Sequence, residues 1–217
     1  MKRIALYTLT SLCLVACKKG PEAVVTTEQQ TTATDTTATA KTDTTTVAFD
    51  SNKIPLSDKE LGTFPYLTLP ENYKYGYGDD GIKAADIIDA DKEYFAVNGK
   101  LIPQQGKTAK AQLEKVPGSK GGKFNSLVVE ENLTKTIEAL GGIQVNNVPV
   151  PDSEMKRIGD KELIDKHYGY SIDHNLTDDV KTFIIRQKDK EVWIQFTLMN
   201  QESGWITILE KKPQNNS

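Results

Sequence analysis

The chain has 217 residues, with 27 basic against 30 acidic side chains, two His and two Cys. A formal charge of −3 without a basic block excludes the electrostatic footprint of a nucleic-acid binder. Two Cys exclude a zinc site built from Cys ligands and a disulfide-stapled scaffold.

The first segment is a leader. Lys2 and Arg3 form a basic head, Ile4 to Val15 carry no charge, and Leu14-Val15-Ala16-Cys17 closes the stretch. Its uncharged helix reaches only about 18 Å, against a hydrocarbon core of roughly 30 Å, so it reads as an export signal and not a permanent span. The tetrapeptide resembles the bacterial lipobox, in which a small residue precedes a Cys that receives a diacylglycerol and becomes the first residue of the mature chain. The alternative is a plain secretory signal with an incidental Cys. Cys13 follows Leu12 and leaves with the leader, so the mature chain keeps only Cys17. Acyl chains contribute about 0.8 kcal/mol per buried methylene, and more than one of them anchors firmly. By likeness to Gram-negative lipoproteins, Lys18 in place of an inner-membrane Asp signal points to the outer membrane, on its periplasmic or its surface face. The expected segments are 1–16 as signal peptide, 17–52 as acylated Cys and linker, 53–213 as one domain, and 214–217 as tail.

Between Thr26 and Thr46 the text is almost all Thr, Ala and small polar residues. Such a tract buries no apolar area to offset its ordering entropy and reads as a disordered spacer. Asp35-Thr36-Thr37 and Asp43-Thr44-Thr45 resemble an O-glycosylation acceptor pattern of Bacteroidetes, against the plain solvated spacer as the bland reading. Without Lys2 and Arg3 the mature chain carries 25 basic against 30 acidic residues.

The domain opens on Phe64-Pro65-Tyr66-Leu67-Thr68-Leu69-Pro70, which the two prolines hold out of helix. Glu93 to Val97, Asn98-Gly99 and Lys100 to Ile102 predict a hairpin with a type I′ turn. Its second arm runs toward Leu113 as an edge or bulged strand because of Pro103 and Gly106. A helix capped by Ser126 follows, with Val129, Leu133, Ile137 and Leu140 on one face and Gly141-Gly142 as its stop. A shorter helix is predicted from Ser153 to about Asp165. Val180–Gln187, Glu191–Met199 and Gly204–Lys211 predict a three-stranded meander, pairing Ile194 with Ile185, Phe196 with Phe183 and Ile208, and Leu198 with Ile206. The fold class is α+β: a mostly antiparallel sheet, N-terminal hairpin plus C-terminal meander, with one or two helices on one face.

Chemistry is sparse. Ser171, Asp173 and His174 cluster in sequence without a nucleophile-elbow pattern, so loop histidines are favoured over a catalytic site. Asp79-Asp80-Gly81, Asp86, Asp89 and Asp91 begin a calcium-like alternation without its turn glycine, and a solvated loop is favoured. No catalytic residue, metal ligand or cofactor is assigned. The outer sheet face is the candidate interaction face: Trp193, Gln195, Thr197 and Met199, with Trp205, point away from the core, and Arg186 falls opposite Trp193 for a cation–π contact. The bland reading is that the Tyr-rich segment from Tyr66 to Tyr77 covers this face.

Several stretches, in order, resemble the region preceding the peptidoglycan-binding domain in certain OmpA-family envelope lipoproteins. They are Phe64–Pro70, then Glu93–Ile102 leading to Gly106-Lys107, then Ala139-Leu140-Gly141-Gly142, then Val192-Trp193-Ile194-Gln195 and Trp205–Lys211. They span most of residues 61 to 212. The chain ends at Ser217, so the peptidoglycan-binding domain itself is not expected and none of its ligand residues is carried over. The resemblance implies an envelope accessory domain on a lipid anchor, non-enzymatic, contacting an envelope protein or the cell wall. The alternatives are a small-ligand or glycan binder using the Trp face, and a periplasmic enzyme acting near Asp173 and His174.

Overall fold

In the computed structural model residues 49–76, 87–199 and 201–213 are described; they belong to one unit, Val47–Ser217. Seven strands form one antiparallel sheet: β1 (Tyr73–Tyr75), β2 (Ile87–Val97), β3 (Lys100–Lys115), β4 (Ile143–Val148), β5 (Val180–Arg186), β6 (Glu191–Met199) and β7 (Ser203–Lys211). Their order is β1-β3-β7-β6-β5-β4, with β2 on β3. The helices are α1 (Ser126–Ala139) and α2 (Asp152–Ile158), followed by a π-helical turn over Lys161–Asp165. The domain is α+β with the sheet dominating.

α1 forms because its apolar residues recur at helical spacing: Val129, Leu133 and Ile137 are fully buried. They pack on Phe183, Ile185, Ile194, Phe196, Ile206 and Ile208 of the meander. Each such side chain contributes about 1.5–3 kcal/mol by leaving water. The cap is Asn125, one residue before the expected Ser126: its Oδ1 accepts from the amides of Leu127 and Val128. At the other end the amide of Gly142 returns to the Ile137 carbonyl at 2.8 Å. Tyr66, Tyr73 and Tyr75 pack on this same α1 face.

The opposite face is covered by an arm. β2 and β3 meet at Asn98-Gly99, both with positive φ (48° and 73°), as a type I′ turn requires. The second half of β3 pairs with β7 from Lys107↔Glu210 to Leu113↔Gly204. β2 runs along β3 from Val97↔Lys100 to Ile87↔Ala109, so Thr108 and Ala109 have a strand on each side. β3 leaves β7 at Gly106, where a Cβ would lie 2.2 Å from the carbonyl oxygen of Glu210; only glycine lets the two backbones come this close. From there the arm crosses the sheet. Phe95 meets the Trp193 ring at 5.4 Å, and the Asn98 amide reaches the Val145 carbonyl of β4 at 3.0 Å. α2 and the following loop pack around the arm through Val150, Leu163 and Ile172 against Tyr94, Ala96 and Leu101.

The meander is present with a register two residues from the expected one. Phe183 faces Ile194 and Ile185 faces Val192; Phe196 faces Ile206 and Ile194 faces Ile208. Because side chains alternate with period two, an even shift leaves every residue on its expected face. β4 belongs to no predicted element. It is an edge strand on β5 with a bulge between Gln144 and Asn146.

Candidate functional site

The face expected to meet a partner lies inside the domain. Trp193 is 1% exposed, Gln195 0% and Thr197 2%, while Arg186, Met199 and Trp205 are partly buried. The β2–β3 arm covers Trp193 and Gln195, and the segment at Ser171 meets Thr197; Tyr66, Tyr73 and Tyr75 pack on the α1 face instead. A local pattern gives no sign of this, because the arm residues lie about a hundred positions upstream. Trp193 faces Ile184 and Leu209, not Arg186, and the cation over its ring is Lys211 at 5.4 Å.

The polar residues of that face join the two layers. Gln195 Oε1 accepts from the Ala96 amide at 2.6 Å and from the Thr182 hydroxyl at 3.0 Å. Its Nε2 donates to the Tyr94 carbonyl and to Ser171 Oγ. Ser171 donates to Thr207 at 3.0 Å, and Thr197 donates to the Ser171 carbonyl at 2.9 Å. A buried amide with both of its ends bonded holds the arm in one position.

At the margin of this layer one ammonium meets two carboxylates. Lys110 Nζ lies 2.9 Å from Asp91 Oδ2 and 3.1 Å from Glu93 Oε2, and it donates to the His167 carbonyl at 3.0 Å. Burial pushes the Glu93 carboxyl up to about 8, more strongly than Lys110 and the Tyr94 amide pull it down. Burial also raises Asp91, but there Lys110, the Lys92 amide and Thr108 outweigh it and hold the group below its ordinary value. The two carboxyls that share Lys110 are thus pushed in opposite directions, Glu93 up and Asp91 down. Among the described residues no three His, Cys, Asp or Glu side chains gather as a metal-binding group.

Asp173 and His174 do not form a joint site. Asp173 accepts from the amides of Asn175, Thr177 and Asp178 at 2.7–2.9 Å, which is the work of a loop-closing aspartate. Burial raises its carboxyl, yet these amides bring it below the ordinary value. His174 is exposed, with Nε2 3.3 Å from the Gly169 carbonyl oxygen. Cys17, the Thr-rich tract, and Asp79, Asp80, Gly81 and Asp86 lie outside the described residues.

Two features went unseen in the sequence. The first is a strap, residues 49–57, fastened along the β5–β6 turn. Phe49 meets Trp193 edge-to-face at 5.8 Å. Ser51 donates to the buried Glu191 at 2.9 Å. Arg186 donates to the carbonyls of Asn52 and Ile54 and to the Asn52 side chain. Lys211 adds a cation 3.3 Å from Glu191. The packed body thus begins before the expected boundary at Lys53.

The second feature is a cleft of about 390 Å³ between the strap and the tip of the arm. Phe49, Ile54, Asn98 and residues 143–147 of β4 line it, without a charged side chain among them. Asn146 fixes its wall: Oδ1 accepts from the Gly99 amide at 2.7 Å, and Nδ2 donates to the carbonyls of Val148 and Val180. Asn98, Gln144 and Asn147 are exposed; Asn147 accepts from Lys181, which also meets Glu130 of α1. The signal available in the sequence was Ile-Gln-Val-Asn-Asn-Val itself, six neutral residues on a strand that proves to be an edge.

No protein-family model, curated protein or solved structure matches this chain.

Proposed function

We propose that this chain is a non-enzymatic, lipid-anchored envelope protein, acylated at Cys17 in the outer membrane of a Gram-negative bacterium. In this reading the Thr-rich tract is a spacer, and the α+β domain contacts another envelope component, as the resemblance to the accessory region of OmpA-family lipoproteins implies. The observation that carries it is the junction Leu14-Val15-Ala16-Cys17, which separates an apolar leader from a polar tract at a cysteine. The domain adds a second support. The buried polar side chains around Gln195 join its layers, and the cleft along β4 is open to a partner.

Metabolic labelling with an alkyne fatty acid tests the anchor. The native chain should carry the label and sediment with outer membranes. Cys17→Ala should lose both; label or sedimentation retained in that variant refutes the anchor. Contact is tested by in-cell crosslinking from a photoreactive residue at exposed position 144, with the buried position 195 as control. A discrete adduct from 144 and none from 195 is the expected result.

A further inference from the structure

We infer that Lys110 and Asp91 condense into an intramolecular isopeptide bond, an amide between Lys110 Nζ and Asp91 Cγ, with the buried Glu93 as the catalytic residue that carries the proton. This goes beyond the reading above and does not depend on the anchor.

The three groups are already assembled. Lys110 Nζ touches Asp91 Oδ2 at 2.9 Å and Glu93 Oε2 at 3.1 Å, so it lies no more than one C–O bond farther from Cγ, the carbon it attacks. The Lys110, Asp91 and Glu93 side chains are 15%, 11% and 0% exposed. Keeping water from them disfavours the charged forms and favours the neutral amine and acid that react. A nucleophile held against its electrophile reacts at an effective molarity of about 10⁵–10⁸ M, which offsets a condensation that dilute water opposes. Lys181 also meets two acids, Glu130 and Asp179, but those are 37% and 48% exposed. Water stabilises the ions there, and that trio stays ionic.

The step balances without a further reactant. One ammonium proton passes to Asp91 Oδ2 across their contact, which frees the lone pair of Nζ, and an N–H keeps its bond to the His167 carbonyl at 3.0 Å. As the Nζ–Cγ bond forms, negative charge gathers on Oδ1, where the Lys92 amide donates at 2.8 Å. Thr108 steadies Oδ2 at 2.9 Å. Glu93 gives its proton to Oδ2 and takes one from Nζ; the Cγ–Oδ2 bond breaks and Oδ2 leaves as water. Burial raises the Glu93 carboxyl, which suits an acid that must hold a proton to act. The bond ties β2 to β3 beside the bulge between Ile88 and Asp91, closing a ring around the hairpin of the arm. Such a ring restricts the unfolded chain. Condensation takes Lys110 and Asp91 out of titration and leaves Glu93 buried.

The test is peptide mapping of the native chain, purified from cells, denatured and digested with trypsin. Trypsin cuts after a free Lys110 and not after an amidated one. The expected product is peptide 84–92 joined to peptide 108–115, lighter than their sum by one water. Asp91→Asn should give the same joined product, with ammonia leaving in place of water, and Asp91→Ala should give none. Glu93→Gln, compared at equal times after synthesis, should slow the bond by about 10²–10⁴-fold, the usual worth of a positioned proton carrier. Free peptides 84–92 and 108–110 from the native chain, without the joined product, overturn the inference, and that readout needs no variant to fold. A joined product that forms as fast in Glu93→Gln overturns it too, since the buried acid would then carry no proton in the step.

Discussion

In the ion-paired chain, Lys110 is shared by two carboxylates, Asp91 and Glu93, and the opposite shifts of the two predict a pH dependence of stability. Burial raises Glu93 from its ordinary 4.5 to about 8 in the folded chain. A carboxyl raised by folding binds its proton more tightly in the native state. Its contribution to stability is fully present below about 4.5 and is lost as pH rises through about 8. Asp91, held low, acts oppositely: its contribution is present above the ordinary aspartate value of 3.8 and is lost as pH falls. Urea unfolding of the native chain from pH 5 to 9 should therefore show stability falling, by on the order of 3 kcal/mol. Glu93→Gln removes the proton uptake and keeps an acceptor for Lys110. Its stability should be flat over that range and should exceed that of the native chain at pH 9. A native profile as flat as that of the variant would show that Glu93 stays ionised beside Lys110.

Gly106 carries the largest consequence at the level of elements, because the arm exists only if β3 can leave β7 there. Gly106→Ala would place a methyl 2.2 Å from a backbone carbonyl that the sheet holds in place. Overpacking of this kind costs about 1–3 kcal/mol. The arm should loosen with it, so amide exchange at Ala96, whose proton is held by Gln195, should accelerate more than exchange in α1. The sequence marked Gly106 as a place of bulge or edge, and it marked α1 and the Asn98-Gly99 turn, because those depend on neighbours within a few residues. Face assignment in the meander was legible for a related reason: alternation determines which side a residue faces, while the two-residue shift depends on how tightly each turn closes. Burial of Trp193 and Gln195 was not legible, since the arm that covers them is distant in sequence. β4 was missed because its bulge at Val145 breaks the alternation that identifies a strand. Its cleft is assembled from three separate stretches, residues 49–54, Asn98 and β4, none of which carries the site alone.

The strap is where the molecule as a whole depends on residues that composition alone would assign to the linker. Phe49 to Ser57 form little regular structure of their own, only one short turn at Ser51–Lys53, yet they complete the environment of a buried charge. Glu191 is fully buried; Ser51 and the Trp193 indole donate to it, and Lys211 lies beside it. Arg186 in turn holds the strap through Asn52 and Ile54. A chain beginning at residue 47 should melt with the same midpoint as the full-length chain, since it keeps the whole strap from Phe49 onward. A chain beginning at residue 58 loses Phe49 from Trp193, the Ser51 hydroxyl from Glu191 and the acceptors of Arg186. Buried charged groups left short of partners cost about 1–3 kcal/mol each, so the summed loss is on the order of 3–5 kcal/mol. For a domain of this size that lowers the melting temperature by roughly 6–20 °C. Ser51→Ala in the longer chain isolates one part of it, removing a single hydroxyl from Glu191 and costing about 1 kcal/mol. Equal melting temperatures for the chains starting at 47 and 58 would mean that Lys211 and the Trp193 indole suffice for Glu191. The strap would then serve only as the wall of the cleft.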